Sequence, residues 1–212
     1  MIKYWNENYP VMLQDVQQHL EMVFTALGIA MVITIVLILI FMHQRKWLNG
    51  LVYFFSLLYS VPSFALFVLL LPISGLGMKT AIITLTIYCE YVLLRTFITG
   101  IQEIDPSLIE VARGMGMTNR QIFFKVQLPL AVPAIFSGLQ VALASMIGIA
   151  TIAATINAGG LGQLLFEGLQ TQQVVPLLWG TLLAVGLTLV CAAVLKFVEY
   201  LLSHRWKSAL TA

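Results

Sequence analysis

The sequence predicts an all-α integral membrane protein with five membrane-spanning helices, and three observations predict it. Hydrophobic residues make up 60% of the 212 residues and charged residues only 9%, far from the balance of a soluble domain. The apolar residues gather into five runs, about 20–42, 51–71, 80–101, 131–156 and 174–198. Each is long enough for a helix rising about 1.5 Å per residue to cross roughly 30 Å of hydrocarbon. Between the third and fourth runs, residues 104–130 are polar enough to lie in water. The length is that of one domain, and no internal repeat is visible.

The first span follows a polar, aromatic stretch whose Tyr4, Trp5 and Tyr9 suit a membrane-interface anchor. The mixed residues before Leu20 do not read as a cleavable signal. His43-Gln44-Arg45-Lys46 ends this span. The second contains Pro62 between Ser60 and Ser63, which predicts a kink whose freed carbonyl the serines satisfy. A turn over Pro72–Gly77 leads to the third span, interrupted by Glu90 and Arg95. The fourth carries Ala134, Gly138 and Ala142 at four-residue steps, then Ala144 and Gly148. Such spacing lets helix backbones approach closely; packing within the chain, packing across a dimer and lining a path all fit it. Gly159-Gly160-Leu161-Gly162 has no following Lys-Ser/Thr, so it reads as a turn rather than a phosphate cradle. Gln163–Leu169 then forms a short helix dipping back to the membrane face. Cys89 and Cys191 lie inside apolar runs and read as small packing residues, not a disulfide framework.

Charge placement sets the orientation. Of the 11 Lys and Arg, Arg45, Lys46, Arg95, Arg113, Arg120, Lys125, Lys196, Arg205 and Lys207 fall on one side, and only Lys3 and Lys79 on the other. The positive-inside rule therefore places the 104–130 segment in the cytosol, with the N-terminus outside and the C-terminus inside.

Within that segment Asp105-Pro106 is a helix start, because Asp caps free N–H groups and Pro is tolerated at the first helical position. Thr118 and Gln121 fit a capping box for a second helix. Gly114 and Gly116 between them suit the left-handed turn that ends a helix, and Pro129 is expected to stop the second one. Ile109, Ala112 and Met115 fall on one side, followed by Ile122, Phe123 and Val126. They serve either as a partner surface or as packing on the chain's own spans. Glu110 and Arg113 are spaced as a helical i, i+3 pair.

Glu90 lies about 15 Å into the third span, where a carboxylate faces protein or water rather than lipid. Tyr88 and Tyr91 flank it, and Arg95 points to a different face. Two readings stand: Glu90 and an aromatic ring meet a cationic solute, or Glu90 makes a structural hydrogen bond to a neighbouring helix.

Glu110-Val111-Ala112, then three residues, Gly116, nine residues and Val126-Gln127-Leu128-Pro129 resemble the EAA loop of ABC-importer permeases. Val111 replaces the motif's first Ala and Val126 its Ile. The resemblance implies a type I ABC importer (MetI-like) fold with coupling helices in the loop between spans three and four. It implies that Glu110, Ala112, Arg113, Gly116, Arg120, Val126, Leu128 and Pro129 couple this chain to a separate cytoplasmic ATPase. Ser60-Val61-Pro62-Ser63, Gly75-Leu76-Gly77, Arg95, Ile104-Asp105-Pro106 and the Gly159–Gly162 turn resemble the osmoprotectant branch, which takes up glycine betaine, carnitine or choline. In this family the Gly-rich outer loop lies near a docked solute-binding protein, with Asn157 here in place of the usual Gly.

Tyr88, Glu90 and Tyr91, from the carboxylate's depth, and Gly159 and Gly160, from that resemblance, are candidate pathway residues. The expected partners are two copies of the ATPase, a second permease chain (identical or paralogous), a separate extracytoplasmic solute-binding protein and the bilayer of a bacterial cell membrane, with no nucleic acid. ATP and Mg are expected on the partner, with no cofactor, metal or catalytic residue on this chain. Rival readings are a methionine or related amino-acid permease and a non-transporting scaffold. An intramembrane enzyme is disfavoured, since His19, His43 and His204 sit at span edges.

Overall fold

The computed structural model describes residues 1–42 and 44–210, the side chains of 45 and 203–210 excepted. The helices are α1 (Ile2–Phe41), α2 (Arg45–Tyr59), α3 (Ser63–Ser74), α4 (Met78–Gln102), α5 (Pro106–Gly114), α6 (Asn119–Ile122), α7 (Leu128–Ala150), α8 (Gly162–Gln170) and α9 (Val174–Leu210). A π-helical turn, Phe123–Gln127, precedes α7, and a 3₁₀ segment, Thr151–Ile156, follows it. Part of the charge argument rests on the side chains of Arg45, Arg205 and Lys207, and part of the span-edge reading on His43 and the side chain of His204, all of which lie outside the described residues.

The bundle is built around α4. Of its most apolar stretch 67% is buried, against 28% for α1 and 6% for α9. Its three faces serve three neighbours. Thr86 and Glu90 meet α1, Thr96 and Gly100 meet α7, and Tyr88 and Tyr91 meet Tyr59 of α2. A helix surrounded in this way uses every side of its surface, so its sequence shows no single apolar stripe.

Four helical stretches are long and apolar enough to cross a membrane unaided, and the α2–α3 pair supplies a fifth if taken as one span. The expected span 51–71 is corrected here: α2 and α3 meet at 96°, a break rather than a kink. Pro62 has no N–H to continue the ladder, and its ring drives the preceding residue out of the helical region. Ser60 closes the last turn of α2, its Oγ donating to the Ser56 carbonyl at 2.8 Å.

Two further expectations change. The first span is the second half of a longer rod: the 40 residues of α1 reach about 60 Å at 1.5 Å per residue. Pro129 does not stop a helix, because α6, the π turn and α7 run on as one 38-residue stretch from Asn119 to Ile156. In the π turn the Leu128 N–H reaches back to the Phe123 carbonyl. That wider turn accommodates a proline that lacks an N–H and crowds the carbonyl four residues earlier.

At the end of the bundle away from α5, a small second core forms from Met12, Leu161 and Leu164. Trp5 and Trp179 pack against it with ring centroids 5.0 Å apart.

Candidate coupling surface and membrane pathway

The α5–α6 elbow is fixed by its own backbone. The Asp105 carboxylate accepts the Ser107 N–H at 2.9 Å. That bond holds the Asp105 carboxyl below the usual carboxylate range. Pro106 occupies the first helical turn. At α6 the Thr118 hydroxyl accepts the Gln121 N–H at 3.3 Å, and the Gln121 side chain accepts the Thr118 N–H at 2.8 Å. This is the expected reciprocal cap. Gly116 takes φ +80°, and the Met117 N–H returns to the Ala112 carbonyl at 3.2 Å. Gly114 remains helical, so a single glycine makes the turn.

The sides of α5 differ from the expected ones. Ala112 is 5% exposed and faces the bundle, as do the buried Ile122 and Phe123, with Ile109 half-buried. Leu108, Val111 and Met115 point outward, Met115 being 77% exposed. The grouping of Ile109, Ala112 and Met115 is thus corrected. The outer apolar ridge is Leu108–Val111–Met115, at helical spacing, and none of the described residues covers it. Arg113 and Arg120 are exposed, Arg113 on the side of α5 away from the ridge, and Val126, Leu128 and Pro129 are half-buried along the π turn and the start of α7.

Behind α5 lies a cavity of about 460 Å³ between the ends of α1, α2 and α4. Glu110 and Arg113 both line it, with Gln102, Gln127 and apolar groups including Ile38 and Ile98. No ion pair joins Glu110 to Arg113 among the described residues, so the expected i, i+3 pair is replaced by two charges at one cavity wall.

The pathway candidates fall into separate places. Glu90, 1% exposed, faces α1, where Thr34 Oγ1 donates to its Oε2 at 2.8 Å. Its Oε1 has no partner among the described residues. Tyr88 and Tyr91 point away from it toward Tyr59, with ring centroids at 5.4 and 4.8 Å. The grouping of Glu90 with these two rings is therefore corrected: chain neighbours on a helix stand about 100° apart, so Tyr91 and Glu90 look at different elements. Arg95 donates to the Tyr91 hydroxyl, in keeping with its expected separation from Glu90. Thr34 and Tyr59 carry no sequence signal of their own and were not expected.

The Thr34–Glu90 bond gives a stability prediction. Thr34→Val keeps the shape but leaves a buried carboxyl without a donor, at a cost of about 1–3 kcal/mol. Thermal unfolding in detergent should show a lowered midpoint, restored in part by adding Glu90→Leu. An unchanged midpoint for Thr34→Val refutes the bond's role.

At the other end, Gly159 and Gly160 take φ +80° and +82°, and Asn157 takes φ 59°, ψ 31°. Asn tolerates the left-handed region, so the turn is kept without the family's glycine. The Gly160 N–H donates to Gln18 Oε1 at 3.1 Å, and the buried His19 Nε2 lies 3.1 Å from the Ile147 carbonyl oxygen. Gly159 and Gly160 thus tie the turn to α1, and α8 covers the residues expected to form a short helix.

Comparison with known proteins matches residues 30–208 to the family described as "Binding-protein-dependent transport system inner membrane component". The carnitine transport permease protein OpuCB of Listeria monocytogenes is 32% identical over 205 residues, 97% of this chain and 94% of that protein. The osmoprotectant import permease protein OsmW of Salmonella typhimurium is 34% identical over 211 residues, 96% of this chain and 97% of that one. In fold the chain is similar to a solved chain of the inward-facing MetNI methionine ABC transporter, with TM-score 0.74, 21% identity and 92% and 96% coverage of the two chains. The chain belongs to the binding-protein-dependent transport system inner membrane component family and is the permease of an ABC importer, whose ATP hydrolysis resides on a separate subunit.

Proposed function

We propose that this permease imports osmoprotectants such as glycine betaine, carnitine or choline, and that α5 is the surface through which ATP-driven motion reaches the bundle. The observation that carries the coupling role is the outward ridge Leu108–Val111–Met115, which is apolar, uncovered and held rigid by two caps and one left-handed glycine. Exposed apolar surface of this kind marks a partner site. Glu110, Ala112, Gly116, Val126, Leu128 and Pro129 set the elbow's shape, while Arg113 and Arg120 add exposed positive charge to it.

Two permease chains enclose one pathway, and two ATPases carrying ATP and Mg close beneath them. The elbow lies in the cytosol, with the C-terminus inside and the N-terminus outside. The Gly159–Gly160 turn then faces the solute-binding protein, and alternating access follows as the bundles rock about a midplane site. The names of the similar permeases and the osmoprotectant-like motifs support this solute class.

Placing a charge on the ridge tests the coupling surface. Val111→Asp should abolish co-purification of the ATPase while the permease still inserts, since an unpaired carboxylate buried in an interface costs several kcal/mol. Retention of the ATPase at wild-type stoichiometry overturns this assignment. Uptake of radiolabelled glycine betaine and choline by the assembled importer tests the solute class.

A further inference from the structure

The strongest unassigned feature lies at the α2–α3 break. Tyr88, Tyr91 and Arg95 share one face of α4 at spacings i, i+3 and i+7. Tyr59, the last residue of α2, packs its ring against both tyrosines. Tyr91 stands midway along α4, and Arg95 lies about one turn nearer its C-terminal end. The Tyr88 hydroxyl donates to the Val61 carbonyl, a group released by the break. Irregular backbone at this depth is tolerated where it is buried in protein or lines a water-filled cavity, and Ser60 and Pro62 are exposed.

Arg95 sharpens the assignment. Its side chain is exposed, its guanidinium lies 5.8 Å from the Tyr91 ring centroid, and its polar partner among the described residues is the Tyr91 hydroxyl alone. A full positive charge within a membrane segment faces a polar path or a counter-charge rather than lipid. No carboxylate of the described chain supplies that counter-charge. The Tyr91 ring thus stands between a guanidinium that no carboxylate of the described residues pairs and the Tyr59 ring, which in turn packs on Tyr88.

We propose that Tyr59, Tyr91 and Arg95, backed by the buried Tyr88, form a site within the membrane span for a zwitterionic solute, the Tyr59 and Tyr91 rings receiving its quaternary ammonium and Arg95, nearer the C-terminal end of α4, its carboxylate. This rests on the osmoprotectant reading above. A quaternary ammonium donates no hydrogen bond and is recognised by ring faces. A carboxylate matches the two-pronged guanidinium. The two halves explain why rings and a cation stand side by side, an arrangement that suits neither a simple cation nor a simple anion. Choline has the ammonium but not the carboxylate, so the site separates the two contributions.

The test uses the assembled importer in proteoliposomes, with an unaltered solute-binding protein in every arm, reading glycine betaine and choline uptake in parallel. Arg95→Gln should lower the betaine-to-choline uptake ratio by about tenfold or more. Tyr91→Leu and Tyr59→Leu should each lower uptake of both solutes by about tenfold, while Tyr59→Phe, which keeps the ring, restores choline uptake. An unchanged ratio in Arg95→Gln overturns the carboxylate assignment, whether uptake is normal or uniformly reduced. Wild-type uptake in both leucine variants overturns the ring assignment. If a leucine variant fails to accumulate in the membrane, the Arg95→Gln ratio decides. Failure of the wild-type importer to carry either solute overturns the osmoprotectant reading and this site with it; transport by wild type without the selectivity split overturns the site alone.

Discussion

Gly116→Val should all but abolish solute uptake while leaving the transmembrane bundle folded. The residue holds φ +80°, and a Cβ built there meets no other atom within 4 Å. The effect is therefore one of backbone conformation, not of crowding. A left-handed residue other than glycine costs about 1–3 kcal/mol, and a β-branched side chain falls at the upper end. Because the elbow is otherwise held by hydrogen bonds of about 1 kcal/mol each, that cost is enough to open the turn and turn the ridge away from its partner. A graded series separates this account from a generic defect. Gly116→Asn should retain most activity, Gly116→Ala should lose several-fold, and Gly116→Val should lose more than about tenfold, following left-handed preference rather than size. Uptake and solute-stimulated ATP hydrolysis, measured together in proteoliposomes, provide the readout. Equal activity across the three variants refutes the role given to the turn.

Gly138→Leu should prevent the permease from accumulating in the membrane. A Cβ at this position would lie 2.7 Å from Thr96 Cβ on α4. Thr96 cannot swing aside cheaply, because its hydroxyl is bonded to the Val92 carbonyl at 2.7 Å. One turn along, a Cβ at Gly100 would meet Ala134 Cβ at 2.5 Å. The α4–α7 seam is thus set by small residues on both sides. Overpacking such a seam costs about 1–3 kcal/mol for a methylene or two, and leucine adds more than that. Even Gly138→Ala should lower the unfolding midpoint in detergent. Adding Thr96→Gly, which removes the opposing Cβ, should recover most of the loss, whereas Thr96→Ala should not. Additive effects in the Gly138→Ala, Thr96→Gly pair count against the seam as described.

What the sequence revealed, and what it hid, divides along the range of the interactions. The caps at Asp105 and Thr118 are local chemistry, and both form as read. The close approach announced by Gly138 is also real, and α4 through Thr96 is what meets it. The sidedness of α5 was not legible, because it is apolar on both faces. Ala112 packs inward and Val111 outward, and composition alone does not choose between neighbours one position apart. Pro62 signalled an interruption but not its 96° angle, which depends on where α2 and α3 find surface to bury. Pro129 looked like a stop because the π turn that absorbs it has no sequence marker. Thr34 as the donor to Glu90, 56 positions away, and Tyr59 as the third ring belong to tertiary geometry. The i, i+3, i+7 stripe of Tyr88, Tyr91 and Arg95 was present in the sequence all along; adjacency drew attention to Glu90 instead.

The corner where α1 meets the Gly159–Gly160 turn and α8 has a consequence for biosynthesis. His19 waits for a carbonyl 128 positions later and Gln18 for an amide 142 positions later. A ribosome releases those partners long after α1 has entered the lipid, so the entering rod carries unmatched polar groups through most of translation. Long-separation contacts close slowly. A chain released before Gly160 emerges therefore keeps Gln18 without the amide that pairs with it in the folded bundle.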